Sequence, residues 1–389
     1  MKCIINGKIV LKDKVYEGKV LLYDEKIIGI YDEAEKDKYA GAQIIDAKGN
    51  YVAPGLIDIH IHGYMGEDVS DGNIEGITKM SEEIVKNGVT SWCPTTMTVS
   101  VDEISSALDA CRNLLLMSQN KALFMGAEVL GVHAEGPFIS PEKKGAQNES
   151  YILKPDAQFV IDNKDIIKII TMAPETEGAL KAFKQIKNET DVTISMGHSN
   201  AAYDEAIKGI DCGATHITHL FNAMSPINQR NPGLVGAGLL DSRVSCELIA
   251  DTFHVSKHLY SLIENQKGDK LCLVTDCLRA AGLPEGEYVL GGQKFIVRGI
   301  ECRLSDGVIA GSILKLNQAV KNFMDNTTLP INKIVAAASG NPAVAVKVYD
   351  RKGSLEKGKD ADIIIADENF EILKTIIGGY IKYEKDEGQ

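Results

Sequence analysis

The chain has 389 residues, 44% of them hydrophobic and 25% charged, with a formal net charge of −12. That length can bury one large core or two, and the charge argues against non-specific nucleic-acid binding while leaving room for an anionic small substrate in a locally cationic pocket. No apolar run reaches the roughly 18 residues that span a bilayer, and the opening MKCIINGKIVLKDK lacks the long apolar core of a signal peptide. The eight cysteines include no C-x-x-C pair and read as reduced thiols, several in buried strands, so a cytoplasmic protein with no membrane association is expected.

In chain order, the first ~50 residues read as short strands and turns: KCIING, KIVLK, KVLLY, KIIGIY and QIIDA, separated by Gly, Asp and Lys. The last ~35 share that character (GSLEKGKDADIIIAD, FEILKTIIGG, YIKYEK). The pattern predicts a small β domain, a β-sandwich, built from residues 1–53 and 350–389. Between them lie eight apolar or β-branched runs, at 52–60, 88–93, 127–133, 166–172, 192–197, 213–218, 245–250 and 271–275. Helical patterns fill most intervals: IEGITKMSEEIVKNG, VDEISSALDACRNLLLM, EGALKAFKQIKNE, NAAYDEAIKGIDCG and HVSKHLYSLIENQ. Eight strands alternating with helices predict an α/β fold, a (β/α)8 TIM-like barrel over 54–349. Long connections at 64–72, 136–155 and 220–244 are candidate substrate loops, and a β insertion is expected near 285–308.

In such a barrel the chemistry sits at the C-terminal strand ends. Run one ends in His60 and His62, run three in His133 and Glu135, run five in His198, run six in His219 and run eight in Asp276. A single histidine at a strand end is usually a hydrogen-bonded rim residue. A whole set falling on the same rim points instead to a metal site. Imidazole and carboxylate without thiolate suit zinc, iron or another first-row divalent ion in an open site, where the ion activates water and polarises a carbonyl. Asp276 is the natural general base; its alternative is a cap for the following turn.

His-x-His on the first strand, histidines on strands five and six and an Asp on strand eight resemble the amidohydrolase superfamily. HAEGPF, GHSNA, THLFNAM and LVTD together resemble its branch that deacetylates N-acetylated amino-sugar phosphates. The resemblance spans nearly the whole chain. It implies hydrolysis of N-acetyl-D-glucosamine 6-phosphate by an enzyme holding one or two divalent ions, zinc or iron first, manganese or cobalt also compatible. By the same resemblance Glu135 is a metal ligand in place of the carboxylated lysine of other relatives, with His198 and His219, while Asp276 is catalytic. Asn222 and Ala223 correspond to a segment whose backbone amides meet the phosphate, and His254 to a phosphate- or substrate-contacting histidine. Arg230 corresponds to an arginine reaching the phosphate from the neighbouring subunit, which implies a homodimer. Ile309, Ala310 and Gly311 correspond to a substrate-contacting stretch.

Two departures matter. Ala146 and Gln147 are expected to contact substrate, and Gln147 sits where some members carry a histidine near the acetyl carbonyl; a glutamine amide donates a hydrogen bond but cannot titrate. Other members lack His-x-His and work with one metal, so retaining His60 and His62 implies a second ion here, with Asp276 beside it and Glu135 touching both ions. The competing readings are another C–N hydrolase on this scaffold, of the dihydroorotase, D-aminoacylase or dipeptidase type, and a non-catalytic barrel, which would lack the ligands.

Overall fold

The computed structural model describes residues 1–386. Eight parallel strands form the barrel wall: Leu56–Ile61, Val89–Thr96, Val132–Glu135, Ile167–Met172, Thr193–Met196, His216–Ile217, Ser245–Ile249 and Leu271–Val274. Each pairs in parallel with its neighbour from the first strand to the eighth. The circle is completed by the Asp276 N–H donating to the His60 carbonyl at 2.8 Å and the Thr275 hydroxyl donating to Asp58 at 2.6 Å. Nearly every wall residue is buried, because side chains fill the barrel on one face and helices cover the other.

The helices follow local rules. In Val101–Ser118, Ser100 and Glu103 form a reciprocal capping box, and Ile104, Leu108, Cys111 and Leu114 make the buried stripe facing the wall. Two further short helices, Ile331–Ala337 and Gly340–Ala345, close the bottom, where the Ser339 hydroxyl donates to the Gly55 carbonyl at 2.7 Å.

Both chain ends build the β-sandwich, as two sheets of four and six strands. Within the larger sheet, Tyr51–Pro54 lies between Lys8–Val10 and Ile363–Ala366, so the two ends of the chain are knitted through one strand. A buried charge cluster joins this domain to the barrel. Lys352 meets Glu128 at 2.7 Å and Asp360 at 3.3 Å and also pairs with Asp362, while Arg351 and Lys121 contact Glu128.

Several boundaries differ from the sequence reading. The run 52–60 is two strands, one in each domain, parted at Gly55, where a Cβ would collide with the Thr90 side chain. The run 127–133 is likewise split, at Gly131, whose φ of +130° departs from a strand. The sixth strand shrinks from 213–218 to two residues, because the chain turns at Thr218 and His219 into the site. The β insertion is a three-stranded antiparallel sheet of Gly286–Leu290, Gln293–Arg298 and Glu301–Leu304. Among the described residues no helix is long and apolar enough to cross a membrane. All eight cysteines are buried and free.

Candidate active site

The strand ends open into a cavity of about 240 Å³. Of the expected substrate residues, Ala146, Gln147, Asn222, Ala223, His254, Ile309, Ala310 and Gly311 all line it, together with Met97. Loops 136–155 and 220–244 thus contribute as expected. Loop 64–72 does not; it folds into the small hairpin of Gly63–Tyr64 and Glu67–Asp68, and residues 308–311 supply that wall instead.

His198 and His219 bring their Nε2 atoms to 3.0 Å from each other, and both face Glu135 Oε1, at 3.2 and 3.1 Å. The Lys143 carbonyl, 3.0 Å from His198 Nδ1, can only accept, so Nδ1 carries the proton and Nε2 offers a lone pair to the site. Glu135 Oε1 is buried without a hydrogen-bond partner among the described residues. The second oxygen, Oε2, accepts from the Gln147 amide, whose own oxygen takes the Thr98 N–H at 2.8 Å.

A second group adjoins the first. His60 Nε2 lies 3.2 Å from His62 Nε2, and Asp276 Oδ1 is 3.5 and 3.3 Å from the two. His62 donates its Nδ1 proton to the Thr95 carbonyl at 3.2 Å and His60 donates to Glu247 at 2.8 Å, so both Nε2 lone pairs also point inward. Glu135 reaches this group too, with Oε1 at 3.3 Å from His60 and Oε2 at 3.4 Å from His62. Asp276 therefore faces the imidazoles rather than capping a turn.

These donors fit divalent ions. Two sets of lone pairs converge from opposite sides of one carboxylate, and the polar atom at their centre is otherwise orphaned. The electrostatics agree. Burial pulls the His62 imidazole down, but Asp276 and Glu135 override it and hold the ring at about 9. Burial likewise pushes the Glu135 and Asp276 carboxyls up, yet the surrounding imidazoles keep both below the usual carboxylate range. The site is built to concentrate positive charge.

Backbone conformation aims these groups. His198, His219 and Asp276 have φ of +46°, +30° and +48°, values that side-chain-bearing residues rarely adopt, each at the point where a strand turns into its loop.

His133 ends its strand as the ligands do but does not line the cavity. Its ring packs 4.5 Å from that of His60, but Nδ1 donates to the Ile59 carbonyl at 3.0 Å and Nε2 takes the Thr171 hydroxyl at 2.7 Å. Both nitrogens are spent inside the barrel, and burial lowers the ring to about 3. It belongs to the wall, since alternation along the strand turns His133 and Glu135 to one face but at different depths.

Arg230 is exposed on the loop before helix Gly233–Leu240 and does not line the cavity of its own chain. The Asn222 N–H closes a turn onto the His219 carbonyl at 2.9 Å. His254 is held by Asp251, Nδ1 to Oδ2 at 2.6 Å. The sequence reading passed over Asp251, Asp58 and Glu247. Each is an acid inside or beside an apolar strand run, and an acid at such a position is the available signal of a buried partner. Asp58, raised to about 7 by burial, accepts from Thr275 and from the His60 N–H.

Residues 51–382 match the amidohydrolase family. The chain is 38% identical over 381 residues to an N-acetylglucosamine-6-phosphate deacetylase of Bacillus subtilis, covering 96% of this chain and 95% of that one. Its fold superposes on the N-acetylglucosamine-6-phosphate deacetylase of Pasteurella multocida with a TM-score of 0.91 at 33% identity, covering 98% and 99% of the two chains. A variant of the Mycobacterium smegmatis N-acetyl-D-glucosamine-6-phosphate deacetylase, solved with N-acetyl-D-glucosamine 6-phosphate, matches with a TM-score of 0.88 at 27% identity over 98% and 99%.

Proposed function

The chain belongs to the amidohydrolase family, and from that premise we propose that it hydrolyses N-acetyl-D-glucosamine 6-phosphate to D-glucosamine 6-phosphate and acetate, in amino-sugar catabolism and recycling. It is a metal-dependent hydrolase of a linear amide. The observation that carries this reading is the convergence of Glu135, His198 and His219 at the floor of one cavity, in a chain similar to such deacetylases over nearly its full length.

In the proposed assignment Glu135, His198 and His219 hold one divalent ion, and His60, His62 and Asp276 a second, with Glu135 able to serve both. Bound there, a divalent ion supplies Lewis acidity to the acetamide carbonyl and lowers the pKa of water. Zinc or iron suits the imidazole and carboxylate donors best, with manganese and cobalt also compatible.

The chain's own groups do the rest. Asp276 takes the proton of the attacking water on its carboxylate and returns it to the sugar nitrogen as the C–N bond breaks, so the amine leaves neutral. Gln147 fixes the Glu135 carboxylate with one amide N–H, while its oxygen takes the Thr98 N–H; the second N–H of the amide is left to donate to substrate in the cavity that Gln147 lines. His254, oriented by Asp251, and the Asn222–Ala223 turn form the wall for the sugar phosphate. Arg230 is assigned to the phosphate of a partner's substrate in a homodimer, a role its exposure supports, because a guanidinium grips phosphate through paired donors. The proposed compartment is the cytoplasm, supported by eight free cysteines.

The test is an acetate-release assay on the 6-phosphates of N-acetylglucosamine, N-acetylgalactosamine and N-acetylmannosamine. Dihydroorotate and N-acyl-D-amino acids serve as controls, with metal-free protein and added zinc, iron or manganese. Turnover of the first substrate only on metal addition is expected; turnover of the controls alone would overturn the reading.

A further inference from the structure

Glu247 lies on the seventh strand, Ser245–Ile249, with no exposed surface, and it does not itself line the cavity. Three N–H groups claim its carboxylate. Oε2 accepts from His60 Nδ1 at 2.8 Å and from the His219 backbone N–H at 3.0 Å, and Oε1 lies 3.1 Å from His216 Nε2. Its backbone carbonyl also accepts the Leu220 N–H at 2.9 Å.

We propose that Glu247 is a positioning residue that sets two metal ligands at once, one in each donor group. The His219 backbone N–H can only donate, so Oε2 is an acceptor there, and as an acceptor for His60 as well it leaves the His60 proton on Nδ1 and Nε2 as a lone pair. The same oxygen, with the Glu247 carbonyl, pins the successive N–H groups of His219 and Leu220, where His219 is held at a φ of +30°. Glu247 thereby links the tautomer of one ligand to the strained backbone that aims another. His60, His133 and Glu247 are also close enough to hold an ion themselves, but both His133 nitrogens are already bonded, so this trio is a support and not a third site. A carboxylate behind a ligating imidazole raises its basicity and fixes its orientation, and loss of such a partner weakens metal binding about 10–100-fold.

The inference rests on the ligand set proposed above. The experiment is a cobalt(II) titration of metal-free protein against a competing chelator, with the visible spectrum of the cobalt-loaded protein recorded. Glu247→Gln keeps the shape and one acceptor oxygen for His60 and His219 but loses the charge; about tenfold weaker binding of one ion and a shifted spectrum are expected. Glu247→Met removes the acceptor as well, with about hundredfold weakening expected. If Glu247→Met does not fold, Glu247→Gln decides by itself, through the metal-induced rise in Tm, which reads affinity separately from the stability of the metal-free fold. Wild-type affinity, spectrum and Tm rise in Glu247→Gln would overturn the positioning role. A control separates the two readings. If His60→Ala with His62→Ala keeps wild-type cobalt stoichiometry and spectrum, the ligand set is wrong and this inference falls with it. If that double variant loses an ion while Glu247→Gln binds like wild type, only the role of Glu247 is overturned.

Discussion

His60 and His62 face one another Nε2 to Nε2 across 3.2 Å, each with its Nδ1 proton turned away onto a fixed acceptor, Glu247 for one and the Thr95 carbonyl for the other. Two lone pairs at that distance repel unless a cation or a proton lies between them, so the pair is a statement about what the site binds.

Replacing both with alanine should lower the metal content of purified protein by one ion per chain, while His198→Ala should remove the ion held with Glu135 and His219. Elemental analysis of the variants checks the assignment; equal loss in both would merge the two groups into one site.

Asp276→Asn removes the proton acceptor while keeping the side chain's size. A fall in kcat of about 10²–10⁴-fold is expected for a lost general base. The Glu135-held ion should remain. Acetate release at near wild-type rate in this variant would remove Asp276 from its role.

Arg230→Ala should raise KM for the phosphorylated sugar roughly tenfold or more, as expected when a charged hydrogen bond is lost, and should leave turnover of unphosphorylated N-acetylglucosamine unchanged. The residue is exposed and does not line the cavity of its own chain, so a phosphate effect would place it in trans. Sedimentation of the wild type as a monomer, or indifference of KM to the substitution, would remove the contribution in trans.

The joint between barrel and sandwich carries a pH prediction. Burial pushes the Glu128 carboxyl up, but Lys352 and Arg351 override it and hold it well below the ordinary range. A depressed acid contributes stability that is present above its unfolded value, near 4.5, and lost as pH falls through the folded value. Glu128→Gln should therefore cost about 3 kcal/mol at neutral pH, the low end for breaking a buried pair, because Asp360 and Asp362 still face Lys352. The gap from wild type should close as pH drops below about 4. Urea unfolding of metal-free protein at pH 7 and at acid pH measures both.

Much of this was legible in the chain. The eight strand runs, the helices between them and the polar residues at the strand ends are local patterns, and the barrel rule places those ends on one rim without knowledge of any contact. Thus His60, His62, Glu135, His198, His219 and Asp276 could be named together. The two-ended sandwich was legible because its strands share turn chemistry and short apolar runs. Gly55 and Gly131 were harder, since each breaks a run for a reason that lies in packing and backbone geometry, not in composition.

What only the tertiary structure decided is which neighbour each polar atom meets. His133 carries the same strand-end signature as the ligands, yet Thr171 and the Ile59 carbonyl take both its nitrogens. Glu247 carries no signature beyond an acid in an apolar run, yet it holds His60 from 187 positions away. Lys352 and Glu128 are 224 positions apart by their numbers and lie 2.7 Å from each other. Periodicity fixes which face a side chain occupies. Its partner depends on closing the barrel, which brings residues together across hundreds of positions, and no local pattern encodes that distance.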